Sequence, residues 1–368
     1  MSFVPLHMAA LHGHLSHQNQ WIIANLCFAR ITSRESHNVW GVEHDGVFTF
    51  LIESLGVRNI QFEELISLDP EFLQQLNPIG VIFLFKYPTG EKHSKDKPLD
   101  GDFDYAALEP SQSQDEGEGP VWFAAQTIQN ACGTQALLSV LLNKDSPSDG
   151  DTTATVDIGP NLRDFKDFTA AFPSDIRGEA LSNSDLIRSV HNSFARSSPF
   201  VSDETRMATE DDDVYHFIAY TSINSTLYEL DGLQPAPIRH GEAGACPSEI
   251  FADAVVPVLQ RRIERYPATE IRFNLLAMCE DLRVRAKEAG DAEGLEREEM
   301  KRREWRWENA LRRHNFVGFV GEVMKGVVGM KLKDGTYESW VEDAKKATKG
   351  RMEDKQKRGQ GADEMDVT

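Results

Sequence analysis

The chain has 368 residues, of which 39 are Lys or Arg and 59 are Asp or Glu, so its formal charge at pH 7 is −20. An acidic chain of this kind is a poor candidate for binding nucleic acid or an anionic membrane surface, since both need clustered basic side chains. Residues 1–280 account for −21 of the charge and residues 281–358 for +4, which indicates a domain boundary near residue 280.

The predicted helices and strands intermix without a regular βαβ repeat, which favours the α+β class. Helices are expected from hydrophobic periodicity, and strands from short apolar or alternating runs. Residues 88–120, rich in Asp, Glu, Ser, Gly and Pro, are expected to form a long mobile loop. In chain order the predicted elements are a helix from Asp45 to Gly56, helical turns over Phe62–Leu76, a strand over Val81–Phe85, helices over Ala131–Leu142, Phe165–Phe172 and Ser184–Phe194, a hairpin of Val214–Thr221 and Leu227–Leu230, a helix over Ile250–Tyr266 and a strand over Ile271–Met278.

The four cysteines are too far apart to form a CxxC zinc or redox pair. Sparse, unpaired cysteines are typical of a reducing compartment, and the sequence shows neither a membrane span nor a secretory signal. We therefore expect a protein of the cytoplasm and nucleus, with no membrane partner, no metal and no cofactor.

Cys132 is the strongest candidate for a nucleophile. It falls in the first turn of the predicted apolar helix, where unpaired backbone N–H groups and the helix dipole favour the thiolate. Gly133 follows it and is expected to leave room for a substrate backbone beside the sulfur. Taken alone, Cys132 is better explained as a buried structural cysteine, because free cysteine is among the most buried residue types.

A predicted hairpin supplies the partners that a cysteine nucleophile needs. His216 lies in the apolar strand 214–221, and Asp231 ends the returning strand, within a couple of residues of the position opposite His216. The carboxylate is then placed to accept an imidazole N–H, which leaves the other ring nitrogen to take the thiol proton. A satisfied core histidine and a turn aspartate are the alternative for each residue singly.

Gln126 is a candidate donor to an oxyanion. It lies six residues before Cys132, so its side-chain amide can be presented beside the sulfur, with the Cys132 backbone N–H as the second donor. Without the cysteine nearby, Gln126 would be interpreted as ordinary loop polarity.

These residues resemble the papain-like ubiquitin C-terminal hydrolases, in particular their proteasome-associated branch. The resemblance covers about residues 40–280. It is carried by Gln126–Thr134 (QTIQNACGT), by His216–Tyr220 (HFIAY), by Leu230–Gly232 (LDG), and by three stretches outside the triad: Gly46–Ile52, Ala180–Arg196 and Glu270–Leu276.

The resemblance implies a deubiquitinating cysteine protease with a central antiparallel sheet flanked by helices. It assigns Cys132 as nucleophile, His216 as general base and then acid, Asp231 as its orienting residue and Gln126 as oxyanion donor. It implies a thioester intermediate on the terminal glycine of ubiquitin. Ser197–Asp213 corresponds to the family's crossover loop, which limits the size of the leaving group; its acidic run is equally well explained as a solvated loop or as an attraction for ubiquitin's basic tail.

The C-terminal quarter resembles the helical tail domain with which that branch docks on a ubiquitin receptor of the proteasome. Trp307, Leu311, Phe316, Phe319 and Val320 recur at roughly helical spacing there. The predicted organisation is an N-terminal extension (1–38), a catalytic domain (39–280), a linker (281–298), a tail domain (299–345) and a charged tail (346–368). Two other functions stay open: a catalytically silent ubiquitin-binding scaffold, and a hydrolase of another ubiquitin-like modifier.

Overall fold

The computed structural model describes residues 44–87, 97–109, 119–128, 131–145, 156–194, 215–266 and 273–363. The described residues up to Arg313 form one compact unit, and those from His314 onward form a second. The predicted N-terminal extension and crossover loop lie outside the described residues. Within the described ranges, no helix combines the length and the apolar character needed to cross a membrane.

Helices and strands alternate irregularly along the first unit. In chain order its main elements are α1 (His44–Leu55), β1 (Ile60–Glu64), α2 (Pro70–Leu76), β2 (Gly80–Lys86), β3 (Asp102–Phe103), α3 (Cys132–Lys144), α4 (Gly159–Thr169), α5 (Ser174–Asn183), α6 (Asp185–Asn192), β4 (Tyr215–Ile223), β5 (Thr226–Leu230), β6 (Ile238–Arg239), α7 (Phe251–Ile263), β7 (Asn274–Glu280), α8 (Leu282–Ala289) and α9 (Ala292–Arg313). The second unit holds α10 (Val317–Lys333) and α11 (Tyr337–Asp363).

The strands of the described residues form a seven-stranded sheet in the order β1-β7-β2-β4-β5-β6-β3, and every pair in it is antiparallel. Side chains alternate between its two faces. Helices α1 and α3 bury one face, and α2 and α7 bury the other. The predicted α+β fold, with a central antiparallel sheet flanked by helices and a separate C-terminal helical region, is confirmed.

The predicted hairpin forms between β4 and β5. Ile223 pairs with Thr226, so the turn consists of Asn224 and Ser225. Both turn residues have positive φ, 49° and 54°, which is the geometry of a type I′ turn and matches the twist of the flanking strands. This tight turn fixes the register of the two strands that carry the candidate site.

Helix α3 is buried along nearly its whole length, from Cys132 to Leu142. It lies against β4 in the larger apolar core, where a predominantly apolar helix is stable. The sequence-based prediction for this helix is therefore confirmed.

Helix α9 packs on α1 and joins the first unit. The Trp305 side chain covers Gly46 so closely that a Cβ on that glycine would lie 2.6 Å from the indole Cγ. The Asn309 side chain donates to the Gly46 carbonyl at 2.8 Å, and Arg302 pairs with Glu53 at 2.8 Å and with Asp281 at 3.0 Å. Trp305, Arg302 and Asn309 are all buried.

Three sequence-based expectations differ from the structure. Helical turns over Phe62–Leu76 were wrong in their first part, because Phe62 lies in β1 and pairs with Met278 of β7. The loop expected over 88–120 contains, in its described part, the edge strand β3 and a helical turn at Ala106–Leu108. Residues 281–298, expected to be a linker, contain helix α8 and the start of α9. The first compact unit ends only at Arg313.

Candidate active site

Cys132 begins helix α3, immediately after Ala131. The backbone N–H groups of a first helical turn have no partner within the helix, so they and the helix dipole favour negative charge at this position. The residue is only 9% exposed. Cys132 therefore has the placement expected of a thiolate nucleophile.

His216 and Asp231 meet on the neighbouring strands β4 and β5. Ala219 pairs with Leu230, so Asp231 continues the register opposite Ile218, two residues from His216 and on the same face of the sheet. The imidazole Nε2 lies 2.7 Å from the Asp231 Oδ1, and both side chains are buried. The carboxylate thus fixes the orientation of the ring, as the hairpin spacing predicted.

Electrostatics hold this pair in its charged form. Burial by itself lowers the pKa of His216, but the charge of Asp231 and the hydrogen bonds to Asp231 and Cys132 outweigh it and raise that pKa to about 10. Burial raises the pKa of Asp231, but the charge of His216 outweighs it, aided by hydrogen bonds from His216, the Leu233 backbone N–H and the Gln234 side chain, and the pKa is lowered.

Cys132 is the third member of this cluster, and its side chain is one of the groups that raise the pKa of His216. Cys132 is the first residue of α3 and His216 the second of β4, so the two side chains meet where both elements begin. Cys132, His216 and Asp231 therefore lie together in one buried cluster.

Gln126 is held beside this cluster by backbone pairing. Its N–H donates to the Gly232 carbonyl at 2.7 Å, one residue after Asp231, and the preceding Ala125 N–H donates to the Ser174 carbonyl at 2.8 Å. The Gln126 side-chain Nε2 donates to the Ile128 carbonyl at 2.9 Å, and its Oε1 is buried without a hydrogen-bond partner. An amide nitrogen carries two hydrogens, and this bond uses one of them.

Two aromatic side chains that the sequence did not single out enclose His216. Phe85, its pairing partner on β2, and Tyr87 contact the imidazole edge-on, with ring centroids 5.8 and 5.5 Å away. The Arg262 guanidinium lies 5.0 Å from the centroid of the Phe85 ring and forms an ion pair with Glu229. Only the β2–β4 register reveals these neighbours, since Phe85 lies more than a hundred residues before His216.

Gly133 does not have the position expected from the sequence. A Cβ on this residue would lie 3.4 Å from the Phe217 ring and 3.5 Å from that of Phe48, both core residues. A side chain at this position would face the rings of the core, so Gly133 does not open space for a substrate. Among the described residues, no cluster of three or more His, Cys, Asp or Glu side chains is arranged to hold a metal ion.

Comparison with family models gives two matches. The model of the ubiquitin carboxyl-terminal hydrolases, family 1, matches residues 43–264, which is more than half of the chain. A second model, also of ubiquitin carboxyl-terminal hydrolases, matches residues 291–328. The second match begins with helix α9 and extends into α10.

Individual proteins give the same result. Ubiquitin carboxyl-terminal hydrolase 2 of Schizosaccharomyces pombe is 47% identical over 312 residues, which are 83% of this chain and 95% of that protein. Ubiquitin carboxyl-terminal hydrolase ubh-4 of Caenorhabditis elegans is 35% identical over 328 residues, 84% of this chain and 92% of that protein. The crystal structure of Trichinella spiralis UCH37 bound to ubiquitin vinyl methyl ester is 32% identical, with a TM-score of 0.50, and the match covers 73% of this chain and 97% of that one.

Proposed function

The chain belongs to the ubiquitin carboxyl-terminal hydrolases, family 1, which are cysteine proteases, and from this we propose that Cys132 attacks the bond at the C-terminal glycine of ubiquitin. The observation that carries this proposal is the buried Cys132–His216–Asp231 cluster, in which each residue contacts the next. The site roles assigned from the sequence are part of the proposal.

The reaction follows from these positions. The Cys132 thiolate attacks the glycine carbonyl. The oxyanion that forms accepts hydrogen bonds from the side-chain N–H of Gln126 and the backbone N–H of Cys132. At neutral pH His216 is protonated, so it gives its proton to the leaving amine and the thioester remains on Cys132. Water then attacks the thioester, with His216 as base, and ubiquitin leaves with a free carboxylate.

The assay that tests this function is hydrolysis of a fluorogenic amide of the ubiquitin C-terminus, comparing the full chain with Cys132→Ala. We expect turnover by the wild type and none by the variant, and labelling of the wild type alone by ubiquitin vinyl methyl ester. A wild type that is inert both alone and with proteasomes would support the scaffold alternative. Faster turnover of another modifier's amide would support the third possibility, a hydrolase of a ubiquitin-like protein.

The proposal includes docking of the tail on a ubiquitin receptor of the proteasome. Helix α10 exposes an apolar face, on which Phe319 is 68% exposed and Val320 54% exposed. The family model that matches residues 291–328 covers this face. Exposed apolar patches of this kind on a soluble unit are typical of protein-binding surfaces.

Co-purification with proteasomes tests the docking. We expect the full chain to be retained and a chain truncated after Arg313 to be lost, with the hydrolysis of a small ubiquitin amide intact in both. Retention of the truncated chain would place the docking surface in the first unit.

The proposed location is the cytoplasm and nucleus. It is supported by the state of the described cysteines Cys132, Cys246 and Cys279, which are all free thiols, as is usual in reducing compartments. Microscopy of the tagged full chain tests it.

A further inference from the structure

Helix α3 carries a stripe of polar residues that its apolar composition conceals. Gln135, Ser139 and Asn143 recur every four residues, so they share one side of the helix. The extended segment 121–126, which ends at Gln126, runs past this side. Two amides of the stripe bind its backbone, one at each end of the helix.

The far end of the helix is joined through Asn143. Its Nδ2 donates to the Trp122 carbonyl at 2.9 Å, and its Oδ1 accepts the Trp122 N–H at 2.8 Å. Nδ2 also donates to the Ser139 carbonyl at 2.7 Å. These bonds lie about three turns from Cys132 and close the helix onto the segment well away from the sulfur.

The near end is joined through Gln135, one turn after Cys132. Its backbone N–H donates to the Ala131 carbonyl at 2.8 Å, so it belongs to the same first turn as the nucleophile. Its buried side-chain Nε2 donates to the Ala124 carbonyl at 2.5 Å, two residues before Gln126. The nucleophile turn and the oxyanion segment are therefore connected by a single side chain.

The same amide packs against the loop that follows Asp231. A Cβ added to Gly232 would overlap the Gln135 Nε2 and would lie 3.1 Å from the Gln126 Cβ. The Gly232 carbonyl in turn accepts the Gln126 N–H. Three segments, which carry Cys132, Gln126 and Asp231, thus converge on the Gln135 amide.

We propose that Gln135 is a positioning residue, which sets the oxyanion donor Gln126 relative to the nucleophile and packs against the loop that follows Asp231. This inference rests on the catalytic roles proposed above for Cys132, Gln126 and Asp231. Gln135 itself touches no reacting atom and acts through the backbone of Ala124 and the close approach of Gly232.

The test compares Gln135→Met with Asn143→Leu in the full chain. Both variants keep the side-chain volume and lose bonds between the same helix and the same segment. Asn143→Leu loses three hydrogen bonds and Gln135→Met loses one, so thermal unfolding should show the larger drop for Asn143→Leu. We expect kcat on the ubiquitin amide to fall about 10- to 100-fold in Gln135→Met only, with KM within about twofold, because small misplacements of catalytic groups cost this much.

Alkylation of Cys132 by iodoacetamide separates the steps. It requires the thiolate but forms no oxyanion, so Gln135→Met should keep the wild-type rate and pH profile. Gly232→Ala should lower kcat as well. In the double variant Gly232→Ala, Gln135→Ala, the loss of kcat should be smaller than the two single losses combined. The Gln135 amide, which the added Cβ of residue 232 would displace, is then absent.

Unchanged kcat in Gln135→Met, or kcat losses that follow the loss of stability across both variants, would overturn the inference. Should Gln135→Met fail to fold, Gln135→Asn, which withdraws the amide by one methylene, answers the same question. An inactive wild type would instead refute the proposed function, so the two failures are distinguishable.

Discussion

The two compact units of this chain differ in how they treat their apolar and charged side chains. In the first unit the catalytic helix is buried, and the buried Asp231 and Arg302 each contact an opposite charge. In the second unit several apolar side chains of α10 remain exposed, with Phe319 at 68% and Met330 at 63%. The first unit therefore encloses its apolar and charged side chains, whereas the second leaves an apolar face of α10 exposed.

Helix α9 shows that composition does not mark the boundary between the units. It is much richer in Arg and Glu than the chain that follows, yet Arg302, Trp305 and Asn309 are buried against α1. The net charge of the chain changes sign near residue 280, but the division into two compact units falls only after Arg313. Most charged residues of a helix lie on its solvent-facing side. Whether the helix packs against a domain depends on a few residues of the opposite side.

The largest difference between the units is expected in the effect on kcat of replacing a histidine in each of them. His216→Ala removes the base from the first unit, and we expect kcat on the ubiquitin amide to fall by about 10⁴-fold, as for other triad residues. His314→Ala, at an exposed position of the second unit, should leave kcat unchanged. Circular dichroism of both variants checks that they are folded, and unaltered turnover in folded His216→Ala would remove this residue from the mechanism.

The next contrast concerns two tryptophans of α9. Trp305 is 3% exposed and covers Gly46, whereas Trp307 is 67% exposed. Trp305→Ala should lower the free energy of unfolding of the first unit by about 3–5 kcal/mol, the usual cost of truncating a buried aromatic. Trp307→Ala should change it by less than about 0.5 kcal/mol. Urea titration measures both, and equal effects would place α9 outside the first unit.

The sequence predicted the catalytic hairpin and helix because the signals there are local. Two turn residues fix the register of β4 and β5, and an apolar run identifies α3. Strand β1 could not be predicted, since its partner β7 lies more than 200 residues later and Phe62 fits a helical pattern equally well. Gly133 was misinterpreted for a similar reason: which side of a helix faces the core depends on Phe217 and Phe48, from distant parts of the chain.

The pH dependence of stability provides a third contrast. His216, with a pKa raised from 6.5 to about 10, stabilises the fold fully below pH 6.5 and loses this contribution as the pH rises through about 10. Asp231, with a pKa lowered from 3.8, contributes above that pH and loses its contribution as the pH falls further. Asp231→Asn should therefore cost most near pH 5, about 3 kcal/mol, and progressively less towards pH 10.

The matched control for this change is Asp334→Asn, at an exposed carboxylate of the second unit. Its effect on unfolding should be small at every pH. Urea titrations at pH 5, 7 and 9.5 measure the difference from the wild type, and a constant difference for Asp231→Asn would show that its charge is not coupled to His216.

The smallest effect on folding and the most specific effect on binding are expected on α10. Phe319→Asp places a charge on an exposed apolar face, so it should not change the hydrolysis of the ubiquitin amide. The free energy of unfolding should stay within about 0.5 kcal/mol of the wild-type value. Retention on proteasomes should fall, because a desolvated aromatic is the kind of residue on which an interface depends. Glu322→Ala, an exposed charge on the same helix, should keep retention intact. Equal retention of both variants would exclude this face as the docking surface, even if truncation after Arg313 abolishes binding.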